Sequence, residues 1–181
     1  MNFIFLMDPL ETIHPKKDTT LALMIAAQKK SHTLYYLSKS GISLTNTGLE
    51  FEVIEVRVTE NSESLFKEIN KTLLTEEQVD CLFIRTDPPF DDTYLFHTWV
   101  LDRLSEKVFI MNNPTGIRSV NEKIWATQFE DIIPNTLITS NKSKFDSFIQ
   151  SEKLVIAKPY NYFGGQGIFK LGHTDSNRHV V

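Results

Sequence analysis

Residues 3–37 read FIFLMDPLETIHPKKDTTLALMIAAQKKSHTLYYL. Phe3 to Met7 is a short apolar run that stops at Asp8-Pro9, the pattern of a buried strand running into a turn. Asp18 is placed to cap a helix from Thr19 to about Ser31. Leu21, Met24, Ile25 and Gln28 share one face at helical spacing, and Lys29 and Lys30 close the last turn. Leu34 to Leu37 is apolar again and reads as a second strand. Strand, helix, strand over this distance calls for a parallel pair joined by a crossover helix, and so for an α/β fold.

Working outward, Ile42 to Val58 reads as a hairpin about Thr45-Asn46-Thr47-Gly48. Ser62 to Leu74 has an amphipathic helical spacing. Cys81 to Ile84 is a buried strand broken by Arg85-Thr86-Asp87-Pro88-Pro89, since proline does not continue a central strand. Thr93 to Ser105 reads as a helix and Val108 to Met111 as a strand. Three apolar strands thus end at polar clusters: Asp8-Pro9, Arg85-Thr86-Asp87 and Asn112-Asn113-Pro114. Either these are three ordinary strand-ending turns, or they line one sheet edge, where open α/β sheets bind ligands.

The pattern changes after Pro114, which sets a first domain at 1–114 and a second unit at 115–181. Ser119 to Phe129 is expected to be helical, Asn135 to Thr139 a short strand, Lys142 to Gln150 a helix and Leu154 to Ala157 a strand. Lys158-Pro159 follows, then Asn161-Tyr162-Phe163-Gly164-Gly165-Gln166-Gly167, then the β-like Ile168 to Leu171. Glycines let the backbone take positive φ and approach a ligand closely. Successive N–H groups in such a turn can cradle phosphate oxygens, and a lysine beside the loop adds a point charge for the same oxygens. The alternative is a plain glycine-rich hairpin turn. No Gly-Lys-Ser/Thr follows, so this is not a Walker loop.

Composition narrows the function classes. The chain has 181 residues, a net charge of −4, 41% hydrophobic and 23% charged residues, close to an ordinary globular protein. A mildly acidic chain without a basic run argues against a nucleic-acid surface. Lys16-Lys17 and Lys29-Lys30 read as solvated helix ends. The single cysteine, Cys81, lies in an apolar run and reads as a packing residue, in keeping with a reducing compartment. No stretch approaches the ~20 apolar residues of a membrane span, and the N-terminus lacks the marks of a signal peptide; the expected location is the cytoplasm. His14, His32, His97, His173 and His179 are scattered, with no HExxH or CxxC cluster. Arg85, after a buried strand, is shaped to hold a carboxylate through a bidentate pair, or else to pair with Asp87 or Asp91. Lys123, near a helix start, reads as a surface lysine on spacing alone.

Taken together, Met7-Asp8-Pro9, Lys16-Lys17-Asp18-Thr19-Thr20, Arg85-Thr86-Asp87-Pro88-Pro89-Phe90-Asp91, Asn112-Asn113-Pro114, Asn121-Glu122-Lys123 and Leu137-Ile138-Thr139 resemble prokaryotic glutathione synthetase. Lys158-Pro159 with Gly164-Gly165-Gln166-Gly167 resembles the start of its ATP-grasp domain. The likeness runs in order from residue 1 to about 172. It implies a Rossmann-like, parallel-sheet pre-ATP-grasp domain followed by the first part of an ATP-grasp domain. It implies the joining of γ-glutamylcysteine and glycine through an acyl phosphate, with ATP and Mg2+, in a homo-oligomer. Carried over by position, Lys123, Lys158, Gly164, Gly165 and Gly167 would bind ATP, and Arg85, Asp18 and Thr19 the peptide substrate. No catalytic side chain and no metal ligand carries over; the magnesium ligands are expected in a C-terminal part beyond Val181, and the 181 residues alone are expected to be inactive. The family loop has Asp-Gly where this chain has Asn161-Tyr162, which would stiffen it. The other readings are a different ATP-grasp amino-acid or peptide ligase, and a degenerate module that only binds or dimerises.

Overall fold

The structure is a computed structural model, and it describes residues 1–59 and 64–175. The chain divides into two compact units, Met1–Arg118 and Ser119–Val181.

The first unit is built on β1 (Asn2–Met7). Ile4, Phe5, Leu6 and Met7 are all at most 2% exposed, the signature of a strand covered on both faces. β1 pairs in parallel with β2 (Thr33–Thr45) on one side and β5 (Cys81–Arg85) on the other. β6 (Phe109–Met111) adds to β5 in parallel. Beyond β2, β3 (Gly48–Val58) and β4 (Phe66–Thr75) add antiparallel, giving the order β4-β3-β2-β1-β5-β6. The strand pleat sends Ile4 and Leu6 into one apolar layer and Phe5 and Met7 into the other. The helix α1 (Thr19–Lys29) covers the second layer with Leu21, Met24 and Ala27. The helix α2 (Asp92–Leu101) covers the first with Val100 and Leu101.

The crossover β1-α1-β2 and the turn at residues 45–48 stand as the sequence indicates. The segment from Ser62 to Leu74 does not. Residues 62 and 63 lie outside the described residues, and Phe66–Thr75 is strand β4. Its Leu65, Ile69 and Leu73 spacing mimics a helical face, yet Ile69 and Leu73 are exposed, 44% and 53%. Pairing with residues 50–58 of β3 decides the conformation, overriding the helix propensity of its Lys, Glu and Leu residues. Being at the sheet edge, the strand carries Lys67, Glu68 and Lys71, charges that discourage further pairing.

β2 also contains a bulge. Leu37 pairs with Val53 and Ile42 with Phe51, so residues 38–41 lie opposite Glu52 alone. Leu37 and Ile42 therefore both reach the same apolar layer despite their odd spacing. Gly41 has no alternative there: a Cβ would lie 2.6 Å from the Glu52 carbonyl oxygen.

In the second unit the expected helix from Ser119 to Phe129 is broken. The helix α3 (Pro114–Ser119) ends at the boundary. The Asn121 side chain then accepts from the Lys123 and Ile124 amides and starts a separate short helix, α4 (Glu122–Trp125). Short 3-10 turns follow at Ala126–Gln128 and Glu130–Ile132. Residues 135–139 are not a strand; the described sheet there is only the antiparallel pair β7 (Leu154–Ala157) and β8 (Phe169–Gly172), so this segment has no ladder to join. The helix α5 (Lys142–Glu152) leads into β7.

Candidate functional site

In the first unit, β1, β5 and β6 are adjacent and parallel, so their carboxyl ends share one edge. The edge is cross-linked. One Asp8 oxygen (Oδ2) accepts from the Asp87 amide at 2.6 Å, and the other (Oδ1) pairs with Lys39 Nζ at 2.9 Å. Asn112 Nδ2 donates to the Ile84 carbonyl at 3.3 Å. The three polar strand ends thus lie on one edge.

Asp18 caps α1: its Oδ1 accepts from the Thr20 and Leu21 amides at 2.7 and 3.0 Å. The cap brings the Thr19 and Thr20 hydroxyls to Arg85, whose Nη2 donates to Thr19 Oγ1 at 2.7 Å and whose Nε donates to Thr20 Oγ1 at 3.1 Å. Arg85 thus pairs with neither Asp87 nor Asp91, and no carboxylate among the described residues forms an ion pair with it. Two of its five N–H donors are used on neutral hydroxyls, which leaves donors and a full positive charge for an anion. Beneath the edge lies His97, 8% exposed. Burial lowers its pKa, against a raising backbone hydrogen bond to Lys39; the Lys39 charge lowers it further and Asp91 raises it.

In the second unit, a cleft of ≈ 1330 Å³ is lined by, among others, Lys123, Phe145, Ile156, Lys158 and Gly167. Lys158 follows β7 directly and has no hydrogen-bond or ion-pair partner among the described residues. The loop after it turns on Gly164, Gly165 and Gly167, at φ of 60°, 83° and 65°. The left-handed conformation favours glycine at each. Gln166 N donates to the Phe163 carbonyl at 3.1 Å. Lys123 reaches the base of this loop: its Nζ donates to the Tyr162 carbonyl at 2.7 Å, to the Tyr160 carbonyl at 3.3 Å and to Glu122 Oε1 at 2.9 Å. The bond from Lys123 is the first cause holding the Glu122 carboxyl below the usual carboxylate range.

The structure therefore brings Lys123, Lys158 and Gly167 to one cleft, which Gly164 and Gly165 do not line, and Asp18, Thr19 and Arg85 to one strand edge. Sequence reading missed Lys39, although the polar break Ser38-Lys39-Ser40-Gly41 in an apolar strand signals a bulge. It also missed Asn121 as the point that joins α4 to the loop. Among the described residues no group of three or more His, Cys, Asp or Glu side chains could hold a metal ion.

Comparison with known proteins agrees with this layout. Residues 1–118 match the family described as prokaryotic glutathione synthetase, N-terminal domain, and residues 122–181 match prokaryotic glutathione synthetase, ATP-grasp domain. The chain is 32% identical over 176 residues to the glutathione synthetase of Escherichia coli O157:H7, covering 97% of this chain and 56% of that protein. It is 31% identical over 176 residues to the glutathione synthetase of Buchnera aphidicola subsp. Schizaphis graminum, covering 97% and 55%. The crystal structure of D-alanyl-alanine synthetase A from Vibrio cholerae aligns with a TM-score of 0.45 and 15% identity over 94% of this chain and 51% of that one. The parallel α/β unit and the strand–glycine loop–strand that follows are those of an ATP-grasp ligase. Within that class, the chain belongs to the prokaryotic glutathione synthetase family. It spans about half the length of the curated relatives it matches.

Proposed function

We propose that this chain supplies the nucleotide-loop and peptide-carboxylate parts of a glutathione synthetase. In the reaction, a carboxylate oxygen of the cysteinyl residue of γ-glutamylcysteine attacks the γ-phosphorus of ATP, and the bond to ADP breaks. The amine of glycine then attacks the acyl carbon and phosphate leaves, giving glutathione. On this reading Lys123 and Lys158 neutralise phosphate charge, and the amides around Gly164, Gly165 and Gly167 close over the transferred group and exclude water from the acyl phosphate. Arg85, oriented by the threonines that Asp18 caps, holds a substrate carboxylate. The substrates are small molecules, the location is the cytoplasm and the assembly is a homo-oligomer.

The observation that carries the reading is Lys158, unpaired among the described residues, at a cleft that Gly167 of the left-handed glycine loop also lines. A charge-assisted bond is worth ~1.5–3 kcal/mol. Lys158→Ala is therefore expected to weaken ATP binding by roughly 10- to 100-fold in calorimetric titration. Unchanged affinity would overturn the assignment. Substrate choice is read in the longer protein by ADP release: γ-glutamylcysteine with glycine should stimulate it. Stimulation only by other amino-acid or peptide pairs would assign a different ATP-grasp ligase, and no nucleotide binding at all would favour a non-catalytic module.

A further inference from the structure

The glycine loop is tied at its base and open at its tip. A Cβ placed on Gly164 or Gly165 would meet nothing within 4 Å. At Gly167 it would lie 2.8 Å from Pro159 Cγ and 2.9 Å from Tyr162 Cδ2, so the returning limb packs against the outgoing one. The Tyr162 ring fills the base rather than the tip.

Two side chains from the start of α4 hold this base. Asn121 uses both ends of one amide. Its Oδ1 accepts from the Lys123 and Ile124 amides at 3.0 and 3.2 Å, and its Nδ2 donates to the Tyr160 carbonyl at 3.1 Å. The amide orientation follows from its neighbours, because a flipped group would set an oxygen against the Tyr160 carbonyl. Lys123 spends its three ammonium protons on Glu122, Tyr160 and Tyr162. Asn121 thus sets both the helix that carries Lys123 and the carbonyl that Lys123 shares.

We propose that Asn121 is the positioning residue of the nucleotide loop, keeping the Lys123 ammonium in register with the loop base so that only the Gly164-Gly165 tip moves. The proposal rests on the nucleotide reading of this cleft. Asn121→Asp separates its two duties. The carboxylate still caps α4, but it turns an acceptor toward the Tyr160 carbonyl where a donor is needed.

Amide exchange followed by NMR tests the clasp without any nucleotide. In Asn121→Asp, exchange at Gln166, whose N–H closes the loop on Phe163, should accelerate roughly five- to tenfold, the loss expected for one hydrogen bond. The Ile124 amide and the β7 amides should not change. ATP affinity by calorimetry should fall by a similar factor while the melting temperature holds, a split that a merely structural residue would not produce. Should Asn121→Asp fail to fold, Asn121→Ser retains a capping oxygen without reaching Tyr160, and the same loosening is expected. Unchanged Gln166 exchange, or acceleration spread equally through β7, overturns the positioning role. Faster exchange at Gln166 in a chain whose wild-type form binds no ATP overturns instead the nucleotide reading, and with it the purpose assigned to the clasp.

Discussion

Arg85 and Asp18 are 67 positions apart in the chain, yet both bond Thr20, Arg85 at its hydroxyl and Asp18 at its amide. Asp18 caps α1 and so aims two threonines, and the threonines orient the guanidinium. The same indirect support recurs at Asp8, which joins Lys39 on the bulge to the loop after Arg85. His97 lies under this edge, and its depressed pKa gives a testable pH effect. Burial disfavours its charged form, so the unfolded chain, with an ordinary histidine pKa near 6.5, binds the proton more readily. The contribution to stability is full above about pH 6.5 and is lost as the pH falls below it. The melting temperature should drop more steeply between pH 7 and 5 in the wild-type protein than in His97→Gln. A His97 resonance that titrates above 6.5 in an NMR pH series would reverse the sign and refute this account. Cys81 is the opposite kind of group: burial, then Asp80, pushes its thiol up to about 11, which makes it inert packing.

At the scale of elements, α1 is anchored by its first turn. Losing an aspartate N-cap costs ~1 kcal/mol, within a range of about 0.5–2. Asp18→Ala should show that loss in chemical denaturation, and Asp18→Asn, which keeps an acceptor, should recover most of it. Equal destabilisation by both variants would mean that the charge rather than the cap matters. The bulge in β2 and the edge strand β4 carry a different lesson. Neither has a clean hydrophobic period. In β4 the charged residues lie along an unpaired edge, and in β2 the polar break at residues 38–41 is accommodated by Gly41 against Glu52. Such features depend on the neighbouring strand, and a window of sequence does not contain it.

At the scale of the molecule, the two units differ in how much they bury. The first holds two apolar layers about β1. Among the described residues of the second, the buried apolar side chains are Ile149 and Leu171, while Ile124, Ile138, Leu154, Ile156 and Phe169 are exposed. Local opening is easiest where few apolar contacts must be broken. Hydrogen exchange of this chain should therefore show β1 and β5 amides protected to the global limit, and β7 and β8 amides exchanging at least tenfold faster. Equal protection in both units would show that the second is held by interactions other than its own core.

Local chemistry was enough to determine the alternating strand, helix and strand of residues 3–37, the cap at Asp18, the breaks after Met7 and Arg85 and the glycine loop after Lys158. Each depends on side-chain period, capping or backbone freedom within a few residues. Tertiary structure alone decided that β4 is a strand, that residues 135–139 stay out of the sheet and that Lys123 grips the loop base. The partners of β4 are 8 to 25 positions away, and the Tyr160 carbonyl is 37 positions from Lys123. A hydrogen-bonding group takes whichever donor or acceptor folding brings within 3 Å, and the order of residues along the chain does not name it.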